Sequence, residues 1–467
     1  MIFAIPLSFF VGATFCILAN KKINAKKIAI AFALVNLALC FQDKFINNLL
    51  SKGSFGLGGW TPPYGIEFFA EPVGLTFVCL VSMIGFFGLM YAGSIPSRSK
   101  LNDNLFFALA LFLLGALQAI CLSGDLFNIY VWLELSSICA FAIMGYKTKE
   151  GAFATFNYLL AAGVAGVIFL LGTGLIYGAS GTLNLAQIST FSNPGQSMSA
   201  GFALIITSLL IKMALTPFHF WLPDAYGNSP TKTLGIIPAI VTKAPAIVLF
   251  KIALQLHQNQ INWSNFEFFL SLMGAGAVIY GSLIAVKQTQ LKKILAYSSI
   301  AQLGLVAIGI GILDVKGTLI QIIAHSIVKF SLFCSVGALE FFANIKTIDD
   351  LKSTFQKSPI LSWVFIICGF SLAGIPPFAG FFAKYYLVVS SLEKNNFFIV
   401  AVILLSSLLT AGYFLKILEN IVFTKYTKKP KSSIPKTTYF PIVFNCSLVI
   451  IFGIFLPRII SALEGLA

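Results

Sequence analysis

The stretch IKMALTPFHFWLPDAY, Ile211 to Tyr226, follows the apolar run GFALIITSLL and therefore continues inside a hydrocarbon-compatible segment. It carries Lys212 and His219, and two prolines, Pro217 and Pro223. A proline inside a helix removes a backbone hydrogen bond and clashes with the preceding turn. A lysine at the centre of a bilayer costs about 2.5–3.5 kcal/mol on insertion scales. A break and a charge in one span fit an interrupted membrane helix that lines a polar path, since freed backbone is tolerated at membrane depth only in protein or beside water.

The rest of the chain agrees with a membrane setting. Of its 467 residues 58% are hydrophobic and 10% charged, with a mean hydropathy of +0.91. That excludes a water-soluble domain and reads as an all-α polytopic membrane protein. The longest polar stretch, Gln42 to Pro72, reads as a loop, so residues 1–467 form a single integral membrane domain. The N-terminal MIFAIPLSFFVGATFCILANKK has no basic region before its apolar run and no cleavage site, and reads as a first span. At about 20 apolar residues per span, fourteen spans are expected, centred near residues 11, 34, 82, 113, 136, 166, 209, 244, 276, 303, 328, 375, 409 and 449.

The net charge of +15 sits mostly in short loops, where lysine and arginine set topology. Of the 31 such residues, 20 fall in loops after odd-numbered spans. Five (Lys44, Lys52, Lys316, Lys394, Arg458) fall on the opposite side. This bias predicts both termini outside the cytoplasm. The eight cysteines lie in or beside apolar runs with no CxxC spacing, and read as small buried hydrophobes rather than metal ligands or disulfides.

Charged groups inside spans tend to be few, inward-facing and functional. Glu134, in GDLFNIYVWLELSSICAFAIMGY, is the one acidic residue deep in a span. It reads as part of a charge relay, against the plainer reading of a structural ion pair. Asp125, at that span's start, reads equally well as an N-terminal cap. Lys212 and Lys243 lie on separate spans, while Lys251, nearer a helix end, fits a side chain reaching for the headgroups. His325 and Lys329, in IIAHSIVKFSLF, are four apart and share one helix face about 6 Å apart in rise.

The opening stretch has a partner. LTPFHFWLPDAY, 215–226, aligns with IPPFAGFFAKYY, 375–386, placing Pro217 on Pro377 beside Pro376, Phe218 on Phe378, Asp224 on Lys384 and Tyr226 on Tyr386. These are spans seven and twelve, five apart, so they enter from opposite sides. Paired interrupted spans point to a transport site. The expected organisation is residues 1–104 for helices one to three, 105–255 for a first repeat (helices four to eight), 256–423 for an inverted second repeat (nine to thirteen), and 424–467 for helix fourteen. Pro217, Pro376 and Pro377 are expected to line the path, with His219 beside it.

GDLFNIYVWLE, FHFWLPDAY, LKKILAYSSIAQLG, AHSIVKFSLF and SLAGIPPFAGFFAKYY, in this order between about residues 70 and 420, resemble the antiporter-like subunits. That family includes the D-type subunit of Mrp-type Na⁺/H⁺ antiporters and the proton-pumping membrane subunits of respiratory complex I and related hydrogenases. The resemblance implies fourteen helices with inverted repeats and broken helices seven and twelve. It also implies a buried row of Glu134 paired with Lys212, then Lys243, His325 and Lys329, with Lys384 at the far end. After Tyr226 the chain departs from the family pattern, with GNSPTKTLGIIPAIVTK where the family has a histidine and a Pro-Ser-rich entry. Its end soon after the fourteenth span implies no long lateral arm.

Three classes remain: an ion-translocating subunit of a cation/proton antiporter, a pumping subunit of a redox enzyme, or a silent scaffold. The chain has no phosphate-binding loop, dinucleotide fingerprint or cysteine cluster, so no cofactor and no metal is expected in it, and redox drive would come from partner chains. The expected partners are other membrane subunits, protons with Na⁺ as a candidate coupled ion, and the lipid bilayer, with no nucleic acid. GDLFN followed by an aromatic stretch and a glutamate resembles the D-type antiporter subunit most, which implies the inner membrane of a bacterial cell.

Overall fold

A computed structural model describes residues 2–19, 24–42, 53–56, 59–60, 65–96, 103–145, 149–191, 195–258, 264–352, 358–422 and 434–464. The sidedness lysines at Lys44 and Lys52, and those in residues 20–23, 97–102, 146–148, 353–357 and 423–433, lie outside the described residues.

The protein is overwhelmingly helical. Its helices are α1 (Ala4–Leu18), α2 (Ala25–Leu39), α3 (Pro72–Ser94), α4 (Asp103–Leu122), α5 (Leu126–Met144), α6 (Lys149–Ser180), the short α7 (Leu185–Ile188) and α8 (Gln196–Lys212). There follow α9 (Leu222–Gly227), α10 (Lys243–Gln258), α11 (Ser264–Lys287), α12 (Leu291–Gly311) and α13 (Val315–Ala343). The last are α14 (Pro359–Ala373), α15 (Ala379–Glu393), α16 (Phe397–Val422) and α17 (Lys436–Glu464). Among the described residues, ten helices are long and apolar enough to cross a membrane, so the chain is an integral membrane protein with many spans. Ala4–Leu18, Gln196–Lys212 and Pro359–Ala373 are apolar but shorter. The departure from an all-helical chain is a two-stranded antiparallel hairpin, β1 (Gly53–Gly56) with β2 (Glu67–Ala70), inside the expected loop. Pairing its backbone groups removes the cost of leaving them unsatisfied beside apolar surface.

Helix ends follow local chemistry. Asp125 caps α5 by accepting the Asn128 N–H at 2.8 Å, and Asp314 caps α13 by accepting the Gly317 N–H at 3.0 Å. Pro359 sits in the first turn of α14, where its missing N–H costs nothing. Gly374 ends that helix at φ +83°, a left-handed conformation that glycine adopts without steric cost.

The chain packs as two compact units. Unit 1 comprises Met1–Leu89, Pro96–Ala214 and Ile240–Phe266; unit 2 comprises Met90–Ile95, Leu215–Ala239 and Glu267–Ala467. In unit 1, buried amides tie the first four helices together. Asn36 and Gln118 exchange reciprocal side-chain bonds of 3.0 Å, Asn36 also donates to the Ile5 carbonyl at 2.7 Å, and Gln118 donates to Ser82 at 2.8 Å. Such bonds associate helices where lipid offers no hydrophobic drive. At one end of unit 1 three connections meet. Phe68 bridges to Ser123, Asp125 bridges to Asn184, and the Leu185 N–H donates to the Gly124 carbonyl at 2.9 Å. In unit 2, the α11–α12 and α13–α14 connections meet likewise, through a Gln290–Thr347 bridge and the Leu291 N–H on the Lys346 carbonyl at 2.9 Å. Alternate connections sharing one end is what up-and-down spans require.

Small residues set the closest helix crossings. A β-carbon on Gly304 of α12 would stand 2.6 Å from the Gly274 carbonyl of α11 and 2.9 Å from the Val278 nitrogen. Gly172 of α6 and Gly201 of α8 make the same kind of crossing in unit 1. Gly304→Val is therefore expected to force the two backbones apart, at a cost of about 1–3 kcal/mol for overpacking. Thermal unfolding of the solubilised protein checks this, and an unchanged midpoint would contradict it.

Candidate functional site

The first break lies at the end of α8 and the second at the end of α14, and they match bond by bond 160 residues apart in the sequence. The Ala214 N–H reaches the Ile211 carbonyl at 3.0 Å, and the Gly374 N–H the Ser371 carbonyl at 3.1 Å. Ala214 and Gly374 both take positive φ, +56° and +83°. The Phe218 N–H bonds the Leu215 carbonyl, and the Phe378 N–H the Ile375 carbonyl, at 2.7 and 3.3 Å. Thr216–Pro217 and Pro376–Pro377 are both cis peptides. The prolines themselves do not face inward: Pro217, Pro376 and Pro377 are exposed on the chain's surface. What the second break supplies to the interior is its carbonyls. Lys384, one turn into α15, folds its ammonium back to the Leu372 and Ala373 carbonyls at 3.0 and 3.3 Å and to the Ser407 hydroxyl at 2.9 Å. Pro377 has no N–H for the Ala373 carbonyl; the lysine takes that place. Lys384 is 6% exposed, which rules out a lipid-facing side chain reaching for headgroups.

In unit 1, Lys212 on the last turn of α8 meets Glu134 of α5. Its ammonium lies 3.0 Å from Glu134 Oε1 and donates to Ser137 Oγ at 3.3 Å. Gly166 of α6 makes room for this carboxylate, since a β-carbon there would stand 2.5 Å from Glu134 Oε1. Lys243, the first residue of α10, is completely buried. The atypical segment before it folds as a 3₁₀ turn, Thr231–Thr233, and a π-helical turn, Ile237–Val241. Single π-turns recur at functional sites because they redirect backbone groups within a helix.

In unit 2, His325 and Lys329 of α13 are both buried, and they go to different neighbours. Lys329 donates to the Leu295 carbonyl of α12 at 2.8 Å and hydrogen-bonds Ser298. His325 borders a small cavity together with Gln302, Gln321, Ser371 and Lys384. Gln321 donates to Gln302 across it at 2.7 Å. Thus His325 and Lys384 share one polar cavity, whereas Glu134 and Lys212 share an ion pair. His219 is half-buried, its ring 4.5 Å from that of Tyr280.

A second internal match explains the difference. LELSSI, 133–138, and LAYSSI, 295–300, carry the same bonds: Ser136 and Ser137 donate to the Leu133 carbonyl at 2.8 and 2.9 Å, Ser298 and Ser299 to the Leu295 carbonyl at 2.9 Å each. Ala296 stands where Glu134 stands in the first copy. Lys329 therefore finds hydroxyl and carbonyl oxygens at this level in place of a carboxylate.

Two features went unread in the sequence. Gly166 had no local signal beyond being a glycine in a helix. Lys251 does not extend to headgroups as expected: it is 2% exposed and lies 3.1 Å from Glu71 Oε1. The eight cysteines are free thiols, seven of them buried.

The family model described as NADH:quinone oxidoreductase/Mrp antiporter, TM, matches residues 123–410. The N-type subunit of NADH-quinone oxidoreductase from Desulforudis audaxviator is 33% identical over 427 residues, covering 87% of this chain and 85% of that one. The D-type subunit of the Na⁺/H⁺ antiporter from Alkalihalophilus pseudofirmus is 29% identical, covering 97% of this chain and 93% of that one. Among solved structures, a chain of the archaeal membrane-bound sulfane sulfur reductase, a respiratory membrane complex, superposes with a TM-score of 0.89 at 25% identity, covering 98% of this chain and 94% of that one.

Proposed function

Because the chain belongs to the NADH:quinone oxidoreductase/Mrp antiporter transmembrane family, we propose that it is the proton-translocating membrane subunit of a multisubunit monovalent cation/proton antiporter. The observation that carries this reading is the Glu134–Lys212 ion pair, held at 3.0 Å between two helices at the point where one of them breaks. A silent scaffold gains stability by replacing such a pair with apolar residues. Lys243, His325, Lys329 and Lys384 extend the relay from this pair, with His219 at the first break and Asp125 as a helix cap. The antiporter reading draws support from the near end-to-end match with a D-type antiporter subunit. The higher identity with an N-type oxidoreductase subunit supports a second reading, in which a NADH:quinone oxidoreductase drives the same relay.

On this reading the ten long spans, the short helices α1 and α2, and the two broken helices make fourteen crossings. Helices four to eight and nine to thirteen form the inverted repeats. The matched breaks, and the serine pairs of LELSSI and LAYSSI, support the repeat. The chain sits in a bacterial inner membrane among other membrane subunits, with both termini outside the cytoplasm. The test is proton flux in proteoliposomes holding the whole purified assembly. Flux driven by a Na⁺ or K⁺ gradient alone supports the antiporter. Flux that appears only with NADH and quinone supports the redox-driven complex. No flux under either condition refutes both.

A further inference from the structure

Unit 1 holds a second buried set of charges that the relay does not use. Lys251, two turns beyond Lys243 on α10 and so about 12 Å along it, is 2% exposed. Its ammonium lies 3.1 Å from Glu71 Oε1 and donates to the Cys121 and Ser123 carbonyls at 2.9 and 3.1 Å. Glu71 and Glu67 are each 7% exposed, and Glu67 Oε2 accepts from Asn184 at 2.6 Å. Glu67, Asn184, Lys251 and Gln255 border a small pocket. This polar pocket is about the size that holds a single water molecule. It opens at the end of unit 1 where the connections before α3, between α4 and α5, and after α6 meet.

We propose that Lys251, Glu71 and Glu67 are the port through which the Lys243 end of the relay exchanges protons with one aqueous phase. This rests on the proton-translocating reading above. The Lys251 ammonium hands a proton to the Glu71 or Glu67 carboxylate, which releases it to cavity water; only N–H and O–H bonds form and break. The competing account makes Lys251 a cap for the carbonyls at the end of α4. A cap requires neither a carboxylate partner nor a second carboxylate facing a cavity. A buried ion pair is also a poor stabiliser compared with apolar residues of the same volume.

The test is gradient-driven proton flux in proteoliposomes of the whole assembly, with thermal stability measured in parallel. Glu67→Gln changes one atom and keeps an oxygen for Asn184; the double variant Glu71→Gln/Lys251→Met removes both buried charges together. The expected result is flux reduced about tenfold or more in both, as for loss of an intramembrane relay group, with assembly intact. Wild-type flux in Glu67→Gln overturns the port, whatever the double variant does. A double variant that assembles and keeps wild-type flux also overturns it, because the pair then serves packing alone. Lys243→Met, run beside them, separates the two levels. Full flux in Lys243→Met overturns the relay and the port with it, while loss there with full flux in Glu67→Gln overturns the port only.

Discussion

Arginine in place of Lys243 is expected to stop proton flux while the assembly stays intact. Lys243 is wholly buried at the start of α10, directly after the π-turn Ile237–Val241. If it relays protons, it must lose and regain one in each cycle. A guanidinium keeps the positive charge but does not release its proton at any workable pH. Flux is expected to fall by about tenfold or more, equivalent to about 1.4 kcal/mol or more in the barrier. Lys243→Met is expected to fail as well, since it keeps the length and removes the proton. Together they separate charge from titration: arginine preserves the first and loses the second. Gradient-driven flux measured with a trapped pH dye, normalised to assembled complex, decides it. Wild-type flux in Lys243→Arg means that proton release here is no part of the cycle.

Glu134→Gln is expected to lose a comparable share of flux for a different reason. The amide is nearly isosteric, so it still fits against Gly166 and still offers Lys212 an oxygen beside Ser137. What disappears is the negative charge that holds the Lys212 ammonium. Breaking a fully buried ion pair costs about 3–5 kcal/mol. The Glu134 side chain is 29% exposed and the amide keeps a hydrogen bond, so the loss of stability falls well below that range. The outcome that supports the relay is a small change in thermal midpoint with flux down about tenfold or more. A large fall in stability with proportionate loss of flux makes the pair a structural strut. Full flux removes Glu134 from the path.

Much of the site was legible because its signals are local. A proline breaks its own helix, so Pro217 and the Pro376–Pro377 pair mark the two interruptions independently of any tertiary contact. A lysine inside an apolar run is conspicuous, so Lys212, Lys243, Lys329 and Lys384 stood out. The glutamate deepest in a span was the natural partner for one of them, and the structure joins it to Lys212 across 78 residues. Lys251 was misread because its distance from the helix end suggested a route to the headgroups. Its partners are a carboxylate and two main-chain carbonyls from other segments, and carbonyls carry no residue identity to read.

The amino-acid sequence by itself determined that this chain lives in a membrane, where its helices stop, and which residues bring charge into the apolar interior. Each follows from composition or from the covalent geometry of one residue and its neighbours. The tertiary structure decided which charges meet. It turned Lys329 toward Leu295 and Ser298 while His325 joined Lys384 at a cavity, and it folded Lys384 back on the broken helix instead of outward along it. It exposed the prolines and turned carbonyls inward, and it packed Leu215–Ala239 into unit 2, whereas the sequence reading expects that segment in the first repeat. These outcomes depend on the distance between groups remote in sequence, and hydrogen bonds and ion pairs form only within about 3–4 Å, a separation that helix packing sets and periodicity does not encode.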